Sequence, residues 1–304
     1  MIVGAGVGVT FPSGRRGDPS AEYVVYLPFK DGGTYRAGSS TASSVAGLPG
    51  YSYSRSGAKL ELDASGAPVA IAAASPAIIV GHGYYSRASL TNRTNRSQEL
   101  DNAYWADSGT GTSSVTPNVA TAPDGTATAD RLTVSANIGS GRAVALSGLT
   151  IGQVYTYSCF VKTESGTKAI RAGFDNLAGS IAVTATATWQ RVAKVFTATA
   201  TTHFPQILNN EASAGSVLVW QQQVLAGDLP DGGPLIVTTV VAATIGADAL
   251  SLSVPNGNYT ATYTFDDGSS QVIATTVTGG IFTLPVHLMT LNRALLRLVT
   301  LRVA

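Results

Sequence analysis

The chain has a single cysteine, Cys159, in 304 residues. No intrachain disulfide can form, and no cluster of cysteine and histidine can be assembled to hold a metal. Histidine is nearly as scarce. His82, His203 and His287 lie far apart with no acid beside them. There is no His-Glu-x-x-His pair, no Gly-x-Ser-x-Gly elbow and no glycine-rich phosphate loop. Charge is thin as well, at 12% of residues against roughly 25% in ordinary soluble domains. The formal net charge is +1, and lysine and arginine form no patch, so nucleic acid is not an expected partner. No apolar run approaches the ~18 residues of a membrane span. The nearest, 68–80 and 235–250, are broken by Ser75 and Pro76 and by Thr238, Thr239, Thr244 and Asp248. The start, Met1-Ile2-Val3-Gly4-Ala5-Gly6, lacks the basic residues and long apolar core of a secretory signal, and none is expected.

Thr, Ser, Ala and Gly stand where the charge is missing. Two readings fit this: a neutral, hydroxyl-covered surface, or surface hidden between subunits, since interface cores are depleted in charge. The dominant pattern is alternation. In 153–162, Tyr155, Tyr157, Cys159 and Val161 share one face and Thr156, Ser158 and Lys162 the other; only Phe160 breaks the polar side. Cys159 therefore points inward and reads as a small buried apolar residue. Further strands are expected over 126–134, 142–147, 168–175, 181–186, 189–198, 204–209 and 216–225. Turn residues separate them and no helical period intervenes. Successive strands of this kind predict an all-β fold: a central two-sheet β-sandwich, an extended N-terminal arm and hairpin region, and a small C-terminal antiparallel β domain.

The length suggests two or three units at ~100–150 residues each. Residues 1–50 read as an arm, glycine-rich and then turn-rich, with one strand at 23–29 and a loop over 31–50. Residues 51–97 read as a hairpin and linker segment, and 98–230 as the sandwich. Asp228-Leu229-Pro230-Asp231-Gly232-Gly233-Pro234 is the strongest linker signal in the sequence. Residues 231–304 then form a meander of hairpins over 259–265, 271–278 and 281–286. Seventy residues make a marginal core, so this block is expected to lean on the sandwich or on other copies. The leucine-rich tail 288–304 is expected to be buried, between chains in one reading.

The stretch 97–229 carries a run of motifs. Ser97-Gln98-Glu99-Leu100-Asp101-Asn102-Ala103-Tyr104-Trp105 is followed by Ala122-Pro123-Asp124-Gly125-Thr126-Ala127-Thr128-Ala129-Asp130-Arg131-Leu132. Next come Gly152 to Lys162 and Trp189-Gln190-Arg191-Val192. Arg93-Thr94-Asn95 precedes them, and 53–66 resembles the hairpin region found before this module. In this order the motifs resemble a jelly-roll module of fibre and spike proteins from tailed bacteriophages and related particles, similar in fold to carbohydrate-binding modules. Leu100 stands where that family usually has Phe.

The resemblance implies a non-enzymatic virion fibre or spike protein on the exterior of a phage-like particle. It would attach to other virion structural proteins by its N-terminal arm and adhere to bacterial capsule or cell-surface polysaccharide. A homo-oligomer, most simply a trimer, would hide the sparse-charge faces. A structural connector or decoration subunit without a glycan ligand is the alternative, and a capsule depolymerase the second. No cofactor is expected. A structural calcium occurs in similar modules, with Asp124 and Asp130 as its only carboxylate candidates here, too few for an oxygen cage without backbone donors.

Sugar binding needs an aromatic face for the apolar side of the ring and planar amides or guanidinium for the hydroxyls. The candidates are Arg171, Asp175, Asn176, Gln206, Asn209, Asn210, Gln221 and Gln223, with Tyr104 and His203 as stacking groups. Trp105, Trp189 and Trp220 read as core. A depolymerase would need converging carboxylates, for which Asp175, Glu211 and Asp101 are the available acids.

Overall fold

The computed structural model describes residues 23–37, 39–109, 111–175 and 179–304. The expected docking arm falls on 1–22 in part, and Asn176 lies outside the described residues too. Among those residues the fold is all-β; one short 3-10 turn, Val45–Gly47, is its helical element. The chain divides into two compact units, each assembled from separated stretches.

The first unit comprises Gly57–Ala72 and Ser89–Gly246. It is a jelly roll of two five-stranded antiparallel sheets. One runs Ser113–Ala120, Ala129–Val134, Gly215–Ala226, Val154–Lys162, Gln190–Thr197; the other runs Ala106–Ser108, Gly141–Ala143, Pro205–Asn209, Lys168–Phe174, Ser180–Ala185. They will be called the covered and the open sheet. Alternation dictates what lies between them. Tyr155, Tyr157, Cys159 and Val161 from the covered sheet meet Ile170, Ala172, Phe174 and Ile207 from the open one, with Trp105 closing an end. Burial pushes the Cys159 thiol up to about 12, so it stays a neutral filler.

Phe160, which breaks the polar side of its strand, has a physical reason on the reverse of the covered sheet. Its ring packs on Trp220 at 5.4 Å, in a second cluster with Ala122, Ala129 and Leu235. The hairpin of Lys59–Leu62 with Pro68–Ile71 joins this face, tied by Leu235 N–H to Leu60 O at 2.8 Å. Leu229, Ile236 and Ile245 bury beside Leu90 and Leu225. The segment 228–234 is therefore not a linker, as expected, but part of the lid on this sheet. Gln223 holds it, donating to Gly232 O at 3.0 Å and Pro234 O at 2.9 Å. The jelly-roll unit extends to Gly246 and takes in 57–72 and 89–97, well outside the 98–230 expected.

The second unit comprises the described part of 1–56, Ala73–Ala88 and Ala247–Ala304. Its main sheet places Leu295–Val303 between Gly257–Phe265 and Val25–Leu27, and extends through Tyr35–Ala37 to Ser40–Ala42. Two expectations change here. Residues 23–50 are not an arm, because Val25, Leu27 and Phe29 are core residues and Tyr35–Ala37 and Ser40–Ala42 are strands rather than a loop. The leucine-rich tail is buried only in part, and within its own unit: Leu291, Leu296, Val299 and Leu301 are inside the same core, whereas Leu288, Met289 and Val303 are exposed. The C-terminal block has too few apolar residues alone, and the N-terminal strands complete it.

One buried polar cluster sits in this unit. Asp248 Oδ1 accepts from Arg55 Nη1 at 3.0 Å and from the Tyr53 hydroxyl, while Oδ2 accepts Arg87 N–H at 2.9 Å. Both members of the ion pair are fully buried. Desolvation, then the Asp248 charge, raise the Tyr53 phenol far above its ordinary range. Removing one partner of a buried pair leaves an uncompensated charge. Asp248→Ala should therefore cost ~3–5 kcal/mol, and Tyr53→Phe, which keeps the pair, about 1–2 kcal/mol. Chemical denaturation of the full chain reads both. Equal costs for the two variants would contradict this assignment of the charge.

Candidate functional site

Pairing fixes which residues share the outer face of the open sheet. Arg171 lies opposite Leu208 on one side and Ala182 on the other, and Gly173 lies opposite Gln206. Alternation puts Phe204, Gln206 and Leu208 on that same face. Phe204 is 47% exposed, an unusual position for a phenyl ring. Ala182 and Thr184 are exposed beside it, and Arg171 is half-buried.

The eight sequence candidates separate on this frame. Arg171 and Asn210 are brought together: Nε and Nη2 donate to Asn210 Oδ1 at 3.3 and 3.1 Å, and Nη1 reaches Ser180 Oγ at 3.4 Å. This holds the guanidinium plane in place across the face. Asp175 has a left-handed φ of 48°, rare for a residue with a side chain. Its Oδ1 accepts Phe204 N–H at 2.7 Å, which sets the strand leading to that ring. Gln206 is on the face but buried, its amide donating to Asp175 O.

Three candidates are internal. Asn209 donates to Ser135 O at 2.8 Å and Ser213 O at 3.1 Å and is buried. Gln221 and Gln223 are on the other sheet, fully buried under the lid. Gln221 donates to Ile236 O at 3.0 Å and accepts from Gln98 at 3.1 Å; Gln223 Oε1 accepts Ile236 N–H at 3.2 Å. These three are corrected from ligand candidates to structural amides, because a buried amide is costly unless hydrogen-bonded.

His203 is also withdrawn as a stacking group. It is buried, with Nδ1 bonded to Asp175 Oδ2. Its Nε2 accepts N–H bonds from Thr199 at 3.1 Å and Ala200 at 3.0 Å. Two N–H donors on Nε2 fix the neutral tautomer with the proton on Nδ1. Both ring nitrogens are thus engaged within the protein. Tyr104 is half-buried, edge-on to Trp105 with centroids 5.6 Å apart. Phe204 is the aromatic that sequence reasoning missed.

The acids named for hydrolysis have separate tasks. Asp175 braces His203 and Phe204, Glu211 pairs with Lys168 Nζ at 2.7 Å, and Asp101 adds its charge to the surroundings of Asp130. Asp124 caps its own turn, accepting Thr126 N–H at 3.0 Å. Asp130 accepts Leu100 N–H at 2.7 Å and Asn118 N–H at 2.9 Å. It thus ties the first two sequence motifs together. Among the described residues no group of three or more His, Cys, Asp and Glu could hold a metal ion. Trp105 and Trp220 are buried, as expected; Trp189 is half-buried with its indole N–H on Thr121 O at 3.2 Å.

No family model matches this chain, and no curated protein sequence does. Several solved structures are similar to it. One is the xylan-binding family 22 carbohydrate-binding module of Xyn10C from Paenibacillus barcinonensis, at 15% identity over 47% of this chain and 99% of that one, with a TM-score of 0.37. A family 11 module from Clostridium thermocellum, in complex with a mixed-linked tetrasaccharide, gives 12%, 47%, 99% and 0.35. The enzymatically active domain of tailspike protein 4 from bacteriophage CBA120 gives 16% and 0.35, over 45% of this chain and 21% of that one. All three TM-scores are below 0.5, and the jelly roll is established by its own strand pairing.

Asp130 generates a pH prediction. Burial pushes its carboxyl up to about 6, against the pull of the Asn118 and Leu100 N–H donors. Its unfolded value is ~3.9. Between these values the folded state binds the extra proton, so its contribution to stability falls as pH rises from ~4 to ~6 and is level above. Wild type should lose about 1–3 kcal/mol across that window, and Asp130→Asn should flatten the profile. Urea titrations at pH 4, 5, 6 and 7 measure it; a rise over that range specific to wild type would reverse the sign.

Proposed function

We propose that the chain is a non-enzymatic adhesion protein that holds bacterial surface polysaccharide on the open sheet of its jelly roll, as a fibre or spike on the exterior of a phage-like particle. The observation that carries the binding reading is the exposed Phe204 ring on one sheet face with the Arg171–Asn210 pair. A phenyl ring offers an apolar platform to the C–H side of a sugar. A fixed guanidinium offers directed donors to hydroxyls. The reverse of the covered sheet has no such opening, since residues 57–72 and 228–246 lie over it.

The virion role rests on the order of motifs from Arg93 to Val192. The non-enzymatic reading rests on the engaged Nε2 of His203 and on the separate tasks of Asp175, Glu211 and Asp101. One shallow face with one aromatic gives weak affinity, so the reading includes several copies, most simply a trimer, whose sites add by multivalency. Attachment to other virion proteins is assigned to the N-terminal end.

A connector subunit with no glycan ligand is the second reading, favoured by Ser270–Val277. This strand ends its sheet, carries no charge and no proline, and exposes Val272 at 62%. Exposed edges of that kind are templates for another chain.

Retention of the full chain on purified capsule and lipopolysaccharide from candidate hosts tests the proposal. Wild type should be retained, and Phe204→Ala should weaken binding by about 3–10-fold, the range expected for one aromatic contact. Silence across all polysaccharides would favour the connector. Release of reducing sugar would defeat the non-enzymatic reading. Sedimentation should show an oligomer, and a clean monomer would remove the multivalent part.

A further inference from the structure

Strand alternation separates Lys168 from Arg171. Arg171 faces out from the open sheet, whereas Lys168 begins the same strand on the opposite side, in register with Ile170, Ala172 and Phe174. It lies at the end of the sandwich, between the turn 163–167 and the loop 210–214 with the start of the strand that follows it. A polar cavity of about 270 Å³ opens there, lined by Lys168, Glu211, Thr167, Ser165 and Ser216 among others. We propose that this cavity is a second ligand site, which takes one sugar residue through a neighbouring pair of its hydroxyls.

The chemistry is that of an adjacent donor and acceptor. The Lys168 side chain is 5% exposed, and its ammonium donates to Glu211 Oε1 at 2.7 Å and Ser213 O at 2.7 Å. An ammonium has three donors, so one is left over. The bonds from Lys168 and Ser213 hold the Glu211 carboxyl below its usual range, so it is an anion with lone pairs to spare. A vicinal diol matches this pattern: one hydroxyl accepts from the ammonium while its neighbour donates to the carboxylate. The hydroxyls of Ser165, Thr167 and Ser216 have no hydrogen bond among the described residues and can serve the remaining positions.

Charge and size narrow the ligand. Glu164 pairs with Arg131 at 2.5 Å, so both local cations have anionic partners and a neutral ligand fits better than a charged one. No aromatic residue lines the cavity, so recognition is by hydroxyls and not by stacking. The volume is near the lower end of small-molecule sites, roughly 300 Å³, which suits one ring of a chain end or branch. The inference shares only its ligand class with the open-sheet reading and uses none of that reading's residues.

The test is amide chemical-shift mapping of the isotope-labelled full chain against a panel of neutral hexoses, pentoses and N-acetylhexosamines. At least one should shift the amides of 163–168 and 211–216 saturably. Thr167→Trp, an exposed position at which a large ring fills the cavity, should abolish those shifts. Glu211→Gln should weaken binding about tenfold, the loss of a charge-assisted hydrogen bond. Phe204→Ala should leave them unchanged, so failure here and failure of the open sheet are read separately. No saturable shift with any sugar, or shifts that survive Thr167→Trp, would overturn the proposal.

Discussion

Burial on both faces of one sheet is the constraint from which the jelly-roll unit follows. The strands Val154–Lys162 and Gly215–Ala226 have the sandwich core on one side and the chain's own lid on the other. Every polar group on either face must then find a partner inside the protein, at a cost of ~1–3 kcal/mol for each that does not. The glutamine run answers this. The pairing between the two strands shifts between Ser158 and Phe160, and Gln221 takes a φ of 53°. Such a bulge re-aims side chains. Gln222 accepts the Tyr157 hydroxyl at 2.8 Å in the core, while Gln221 and Gln223 bind the main chain of the lid. A segment rich in proline and glycine, with little regular pairing of its own, is thereby fixed by amides from the sheet beneath it.

Much of the strand order was legible because burial and alternation are local. The expected strands 168–175, 181–186, 189–198 and 204–209 correspond to Lys168–Phe174, Ser180–Ala185, Gln190–Thr197 and Pro205–Asn209. Ala106–Ser108 and Ser113–Ala120 were not legible. Their residues are Ser, Thr, Pro, Asn, Asp and Ala with only Val115 and Val119 between them, none fully buried, which gives too little apolar alternation to read. The composition of the units was hidden for another reason. Val25 pairs with Leu301, and Leu250 with Tyr53, and no local pattern encodes a partner more than 190 residues away.

The candidate site shows where a one-dimensional reading stops. A polar residue on a strand looks the same whether its face meets water or a lid, so Gln206, Gln221 and Gln223 were indistinguishable in sequence from true surface amides. An aromatic beside a strand reads as core for the same reason, and Phe204 was passed over. Arg171 and Asn210 were legible because each is polar, next to a strand, and on a sheet whose outer face the chain leaves partly open.

The Asp175–His203 pair explains how an exposed ring can be held on such a face. His203 packs edge-on against Phe196 with centroids 4.5 Å apart, and Phe196 stacks on Phe174 at the same separation. The imidazole is thus held by the rings of Phe196 and Phe174 and by Thr199, Ala200 and Asp175 at its nitrogens. Asp175, oriented from that side, takes the Phe204 N–H, so the backbone at the ring inherits the rigidity of the core. An exposed aromatic on a fixed backbone loses little freedom when a ligand stacks on it, and less of the gain from contact is spent on ordering. The bonds that occupy both nitrogens of His203 therefore also steady the backbone from which Phe204 projects.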